Sequence, residues 1–152
     1  MYKPTKNQIH VVSMSGGKDS TATALTAIDM GYEIVGAFAD TGNEHEITYE
    51  YVDYLERKLD IKIHRVKSNF YSKLKKRIQD HLEGKYEVRN ESAISAIKEA
   101  VEINNTFLNL CAYKHIFPTR RAQFCTEYLK KIPITILQDD LGLKYKKPVC
   151  SW

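Results

Sequence analysis

The sequence predicts an α/β fold in three layers, a mostly parallel sheet of about four strands flanked by helices. Three observations point to it. Residues 8–14 and 33–39 are near-continuous apolar runs, the pattern of strands buried on both faces. A glycine turn follows each run, at Ser15–Ser20 and at Asp40–Gly42, and helix-period apolar residues follow each turn. The resulting order of strand and helix, repeated through a third strand, selects parallel strands joined by right-handed crossovers.

The elements follow in order. Ile9, Val11, Val12 and Met14 make a central strand. The helix after the first glycine turn directs Ala22, Ala24, Leu25 and Ile28 to a core, and Gly31 stands where a helix-ending glycine belongs. Ile34, Val35, Ala37 and Phe38 make the second strand. Residues 46–59 place Ile47, Tyr51, Val52, Leu55 and Leu59 on one helical face. Residues 61–66 alternate partly, which suits an edge strand. Phe70, Leu74, Ile78 and Leu82 recur every fourth residue and predict a helix over 69–82. Asn90 is a candidate cap for the next, with Ile94, Ile97 and Val101 inward. Thr119 is a candidate cap for a further helix to about Lys131, carrying Ala122, Cys125, Tyr128, Leu129 and Ile132 inward and stopped by Pro133. Residues 134–152 are ambiguous, with 147–152 a candidate last strand. No repeat or linker divides the chain, so 1–152 reads as a single domain.

With 152 residues, 43% of them apolar and 28% charged, the chain is long enough to bury a core. It has no apolar run that would span a bilayer and no signal-like start, so a cytoplasmic protein without a membrane partner is expected. Cys111, Cys125 and Cys150 are odd in number and widely spaced, which argues against a zinc site or a disulfide framework. The net charge of +4 is unevenly spread: residues 40–60 hold seven acids and two bases, residues 62–77 seven Lys/Arg and no acid. The basic stretch is either a solvated face or a rim that attracts nucleotide or nucleic acid.

Ser13-Met14-Ser15-Gly16-Gly17-Lys18-Asp19-Ser20-Thr21 carries the most chemistry. Two unhindered glycine N–H groups and short oxygen side chains stand at a helix N-terminus, where orphan donors and partial positive charge attract anions. The spacing is neither Gly-x-x-x-x-Gly-Lys-Ser/Thr nor Gly-x-Gly-x-x-Gly. Asp40 ends the second strand, placed to reach a ribose or adenine edge or a magnesium ion. Arg120 and Arg121, in the first turn of the helix expected after Thr119, would oppose its dipole at roughly a few tenths of a kcal/mol unless an anion sat between them. Guanidinium forks suit phosphate and sulfate.

Ser15 to Ser20 resembles, along its whole length, the PP-loop of the adenine-nucleotide pyrophosphatases. Asp40-Thr41-Gly42 with Thr48-Tyr49-Glu50 resembles a segment of the phosphoadenosine phosphosulfate (PAPS) reductase family, although Glu46 stands where that family usually has proline. Phe117-Pro118-Thr119-Arg120-Arg121-Ala122-Gln123-Phe124-Cys125-Thr126, followed by Leu129-Lys130, resembles a third segment of the same family. The three landmarks, in order, span 13 to 131. The resemblance implies a Rossmann-like, PP-loop (HUP-type) topology. It also implies an adenine nucleotide, ATP or PAPS/APS, held by Ser13, Ser15, Gly16, Gly17, Lys18, Asp19, Ser20, Asp40, Thr41 and Gly42. Lys18, Asp19, Arg120 and Arg121 are its implied catalytic residues, with Asp40 on Mg2+.

The resemblance also has gaps. No Glu-Cys-Gly-x-His context surrounds Cys150, and no Val-x-Gly-x-Arg-x-x-Glu-Ser segment follows the two arginines. No Cys-x-x-Cys completes an iron–sulfur site, so no cluster is expected and Cys125, on the apolar stripe, reads as structural. The expectation is a shortened chain that is either a minimal family member or one whose site is completed by a second copy or a partner subunit. Three functions fit: ATP pyrophosphatase or adenylyl-transfer chemistry in sulfur metabolism, thioredoxin-dependent sulfonucleotide reduction, and non-catalytic nucleotide binding in a regulatory subunit.

Overall fold

The computed structural model describes residues 7–87 and 91–152. The elements are β1 (Ile9–Ser13), α1 (Lys18–Asp29), β2 (Ile34–Ala39), α2 (Glu46–Lys58), β3 (Ile63–Val66), α3 (Tyr71–Leu82), α4 (Glu91–Ile103), α5 (Thr106–Lys114), the single turn α6 (Phe124–Thr126), a π-helical segment Glu127–Lys131, α7 (Ile132–Tyr145) and β4 (Val149–Ser151). The sheet has the order β3-β2-β1-β4, and every pairing is parallel. The expected fold class is therefore observed: β1 is central, β3 is an edge, and the short strand near 150 exists. Crossovers run from β1 outward to β3 and then return to β4 on the other side of β1. The carboxyl end of β1 is thus the switch point where ligands of such sheets bind.

The chain forms two compact units. The first comprises residues 7–40, 44–66 and 130–152. One face of its sheet packs Val12, Met14, Phe38 and Ile63 against Ala24 and Ala27 of α1 and Val52 and Leu55 of α2. The other packs Val11 and Ala37 against Leu141, Ile134 and Leu137 of α7. Gly31, at φ +77°, ends α1 with its N–H on the Ile28 carbonyl and that of Tyr32 on Ala27, a paired closure that needs a left-handed residue. Three inward expectations fail here, the first being Ala22, which is exposed. Leu25 is 44% exposed, because the buried stripe runs through positions 24, 27 and 28. Ile47 is 66% exposed, one turn ahead of the α2 residues that reach the strands.

The second unit holds 41–43 and 67–129. Leu74 of α3 packs with Ile94, Ile97 and Ala100 of α4, and Phe70, Leu110 and Leu129 form a second cluster. Leu82, at the end of α3, is exposed rather than inward. The capping role expected of Asn90 lies outside the described residues.

The largest correction concerns 119–133. Thr119 caps no helix. Its carbonyl and hydroxyl both accept the Ala122 N–H, closing a separate turn, and helix begins only at Phe124. Nor does Pro133 stop the helix, for it sits in the first turn of α7, where a missing N–H costs nothing. The π-helical segment precedes it, and the Tyr128 carbonyl accepts the Ser68 hydroxyl. Ile132 is consequently 40% exposed.

Candidate functional site

The glycine turn joins the end of β1 to α1. Gly17 is the N-cap, extended at φ −94° and ψ 164°, and no side chain caps the helix. The N–H groups of Lys18, Asp19 and Ser20 therefore face the N-terminal opening without an intrahelical acceptor or a capping oxygen. The serines serve the turn itself. Ser20 Oγ accepts from the Ser15 N–H (3.2 Å) and the Ser15 hydroxyl (3.1 Å) and donates to the Gly17 carbonyl (2.9 Å). The Thr21 hydroxyl and N–H close on that same carbonyl at 3.0 and 3.1 Å. The two glycines, equivalent in sequence, have different jobs. Gly16 is left-handed at φ +73°, and a Cβ there would lie 2.8 Å from Thr48 Cγ2. At Gly17 a Cβ would meet only Ser15 Oγ at 3.4 Å.

At the end of β2, the backbone N–H of Asp40 donates to the Val66 carbonyl (2.8 Å), which fixes the residue to β3. Its carboxylate accepts the Tyr49 hydroxyl at 2.7 Å, while the Tyr49 ring stands edge-on to Phe38, centroids 5.9 Å apart. Burial first, then the bond to Asp40 and its charge, push the Tyr49 phenol up to about 12 from 10.0. The phenol therefore stays protonated in the fold at pH values where it would ionise in the unfolded chain. Its contribution to stability is full below pH 10 and lost as pH rises towards about 12. Tyr49→Phe should flatten alkaline unfolding over that window, read by urea midpoints at pH 9, 10 and 11; an unchanged pH slope would show that the fold does not raise the phenol as described.

A cavity of about 360 Å³ opens beside the turn, lined by Ser13, Ser15, Phe38, Ala39, Glu44, Lys130, Lys131 and Thr135, with Met14 and Ile134. Lys130 and Lys131 are absent from the sequence-based site. The pattern assigned them to the end of an amphipathic helix, whereas they end a π-helical segment and line the cavity wall. Their adjacency just before a proline was the available signal.

Thr41, Gly42, Arg120 and Arg121 lie in the second unit. Thr41 is buried, and its hydroxyl accepts the Asn43 N–H. The Gly42 carbonyl accepts the Asn105 side-chain amide at 2.5 Å, and a Cβ on Gly42 (φ +73°) would lie 3.1 Å from Thr106 N. Asn105 also caps α5 through the Leu108 N–H. Thr41 and Gly42 thus anchor the start of α5. Arg120 and Arg121 are exposed on a bend ahead of α6, not in a helical first turn, so the dipole argument for an anion between them lapses. Cys150 is buried in β4, in register with His10, and Cys125 is half-buried against the Leu129 cluster. Burial, then the neighbouring Cys125, push the buried Cys111 thiol up.

No described helix is long and apolar enough to cross a membrane. In sequence, the chain is 38% identical over 137 residues to an uncharacterized 37.8 kDa protein of Escherichia phage 186, covering 82% of this chain and 40% of that one. It is 42% identical over 76 residues to an uncharacterized protein of Methanocaldococcus jannaschii, covering 49% of this chain and 16% of that one. The chain thus spans two fifths or less of the length of these relatives. The family model of the phosphoadenosine phosphosulfate reductase domain matches residues 9–143, from the first residue of β1 nearly to the end of α7. With a parallel α/β sheet and the glycine turn at its switch point, the chain belongs to the phosphoadenosine phosphosulfate reductase domain family.

Proposed function

We propose that residues 1–152 act as one nucleotide-binding domain that takes ATP or a related adenylyl nucleotide at the glycine turn. It acts at the α-phosphate, or at a phosphosulfate in the same place, in adenylylation or sulfur-transfer chemistry. The observation that supports this most is the uncapped start of α1: a turn that only reversed the chain would use one of its hydroxyls as the cap, and this one keeps them within the loop. The N–H groups of Lys18, Asp19 and Ser20 bind phosphate oxygens, and Lys18, Lys130 and Lys131 add positive charge. Asp19 acts through a cation, since two anions do not meet directly. Such fixed donors lower the barrier by favouring charge as it develops on phosphorus-bound oxygens. Arg120 and Arg121 are proposed as anion-binding side chains on the family resemblance alone.

Magnesium fits the single carboxylate of Asp40: no three-ligand cluster exists among the described residues, but this ion is commonly held by one or two carboxylates plus substrate phosphates. When bound it would neutralise charge on the phosphate oxygens. Thioredoxin-dependent reduction is the weaker reading, because Cys150, the candidate thiol, is buried within the sheet.

Melting curves with ATP, AMP and PAPS, then assay of AMP and pyrophosphate with ATP and magnesium, test the proposal. Nucleotide should raise the melting temperature by mass action. Lys18→Ala should cut turnover by about a hundredfold, the scale of one lost oxyanion-type donor. Binding without turnover in any partner's presence would leave the regulatory reading; no shift with any nucleotide would sink the proposal.

A further inference from the structure

The basic stretch 62–77 divides in the structure. Lys62 and Arg65, in the first unit, are neutralised by α2: Arg65 pairs with Asp53 and Glu56, and Lys62 with Glu56 at 3.8 Å. The part on α3 is not. This helix carries Lys73, Lys75, Lys76 and Arg77 against one acid, Asp80. None of those four bases, nor Lys114 of α5, makes an ion pair among the described residues. Lys73, Lys75, Arg77 and Lys114 rest on aromatic rings, and Arg77 also donates to the Tyr113 carbonyl at 2.5 Å and meets His115 Nε2 at 3.3 Å. The Arg77 guanidinium lies 3.8 Å from the Tyr113 ring centroid and 5.3 Å from that of Tyr86. Lys73 lies 4.9 Å from Phe70, Lys75 4.5 Å from Tyr71 and Lys114 4.0 Å from Tyr128. Lys73, Lys75 and Lys76 are exposed, and the four tyrosines are half-buried.

We infer that the α3 face, with the end of α5, is a binding surface for single-stranded nucleic acid. A cation resting on a ring keeps its full charge for a phosphate, whereas one paired with a carboxylate must break that pair first. Partly exposed tyrosines among such cations offer stacking platforms to unpaired bases, a feature a duplex cannot use. A membrane surface fits less well, since the apolar side of α3, through Leu74 and Ile78, is already occupied by α4.

Fluorescence anisotropy of the full chain with labelled DNA and RNA strands of about 20 nucleotides, beside the matching duplex, tests this. The single strands should bind more tightly than the duplex. In Lys73→Gln/Lys76→Gln the dependence of log affinity on log salt should become shallower by roughly 0.7 for each phosphate left without its lysine. Tyr71→Leu should weaken binding about tenfold with the salt slope unchanged, the scale of removing one base–aromatic stack. Melting curves check that each variant is folded. Equal affinity and slope in the lysine double variant, equal binding of duplex, or displacement by inorganic polyphosphate as readily as by unlabelled strand would overturn the inference. So would loss of strand binding in Lys18→Ala, which would place the strand at the glycine turn. The ATP-dependent melting shift is measured in the Lys73/Lys76 and Tyr71 variants and should persist there, so this reading and the nucleotide proposal fail separately.

Discussion

Gly16→Ala is expected to lower the stability of the chain by about 3 kcal/mol and to abolish nucleotide binding, whereas Gly17→Ala leaves the fold nearly unchanged. Two costs add at Gly16. An L-residue at φ +73° loses roughly 1–2 kcal/mol, and the new methyl must displace the Thr48 methyl from a 2.8 Å approach. The two can be separated. In Gly16→Ala/Thr48→Ser the clashing Cγ2 is gone, so the steric part should return and the backbone part should not. Urea unfolding of the four proteins gives the coupling directly. If Gly17→Ala proved as damaging to stability as Gly16→Ala, the assignment of the left-handed position would be wrong.

Phe38→Ala is expected to cost about 3–5 kcal/mol, the range for deleting a fully packed aromatic side chain. Phe38 is 2% exposed between the sheet and the two helices on its face, and it also supports the Tyr49 ring that bonds Asp40. Its ring lines the cavity beside the glycine turn, so the deletion enlarges that cavity and frees the Tyr49 ring together. The melting temperature should fall by about 10 °C at this chain length. A loss below about 1 kcal/mol would show that the sheet is not packed as described.

Where one physical signal dominated, the sequence was legible. The apolar runs of β1 and β2 announced buried strands because a parallel sheet covers both faces, and the weaker alternation of 61–66 announced an edge. The four-residue spacing of α3 was equally direct. The stretch 119–133 was not. Thr119 looks like any helix cap but spends its hydroxyl on a self-contained turn, and Pro133 breaks a helix only if something before it needs its N–H. α7 was obscured because its exposed side carries Ile136 and Leu143, which blurs the periodicity. At the site, the composition of the turn was readable, while its division of labour was not. Which glycine must be glycine depends on Thr48, more than thirty residues downstream. Which lysines remain uncompensated depends on where α2 places Asp53 and Glu56.

The pairing of β4 with β1 sets an order of events for a chain being made. The Trp152 indole N–H donates to His10 Nδ1 across 142 positions of sequence, and the Trp152 backbone N–H bonds the Val11 carbonyl at 2.9 Å. The strand that leads into the glycine turn therefore emerges from the ribosome well before β4 and keeps one raw edge until residues 149–151 follow. Pairings of such long reach form late, after their loop-closure entropy has been met. Nascent chains lacking 149–152 should carry an exposed strand edge at their centre, the kind of surface that seeks another chain, and would depend on shielding until synthesis has passed that point.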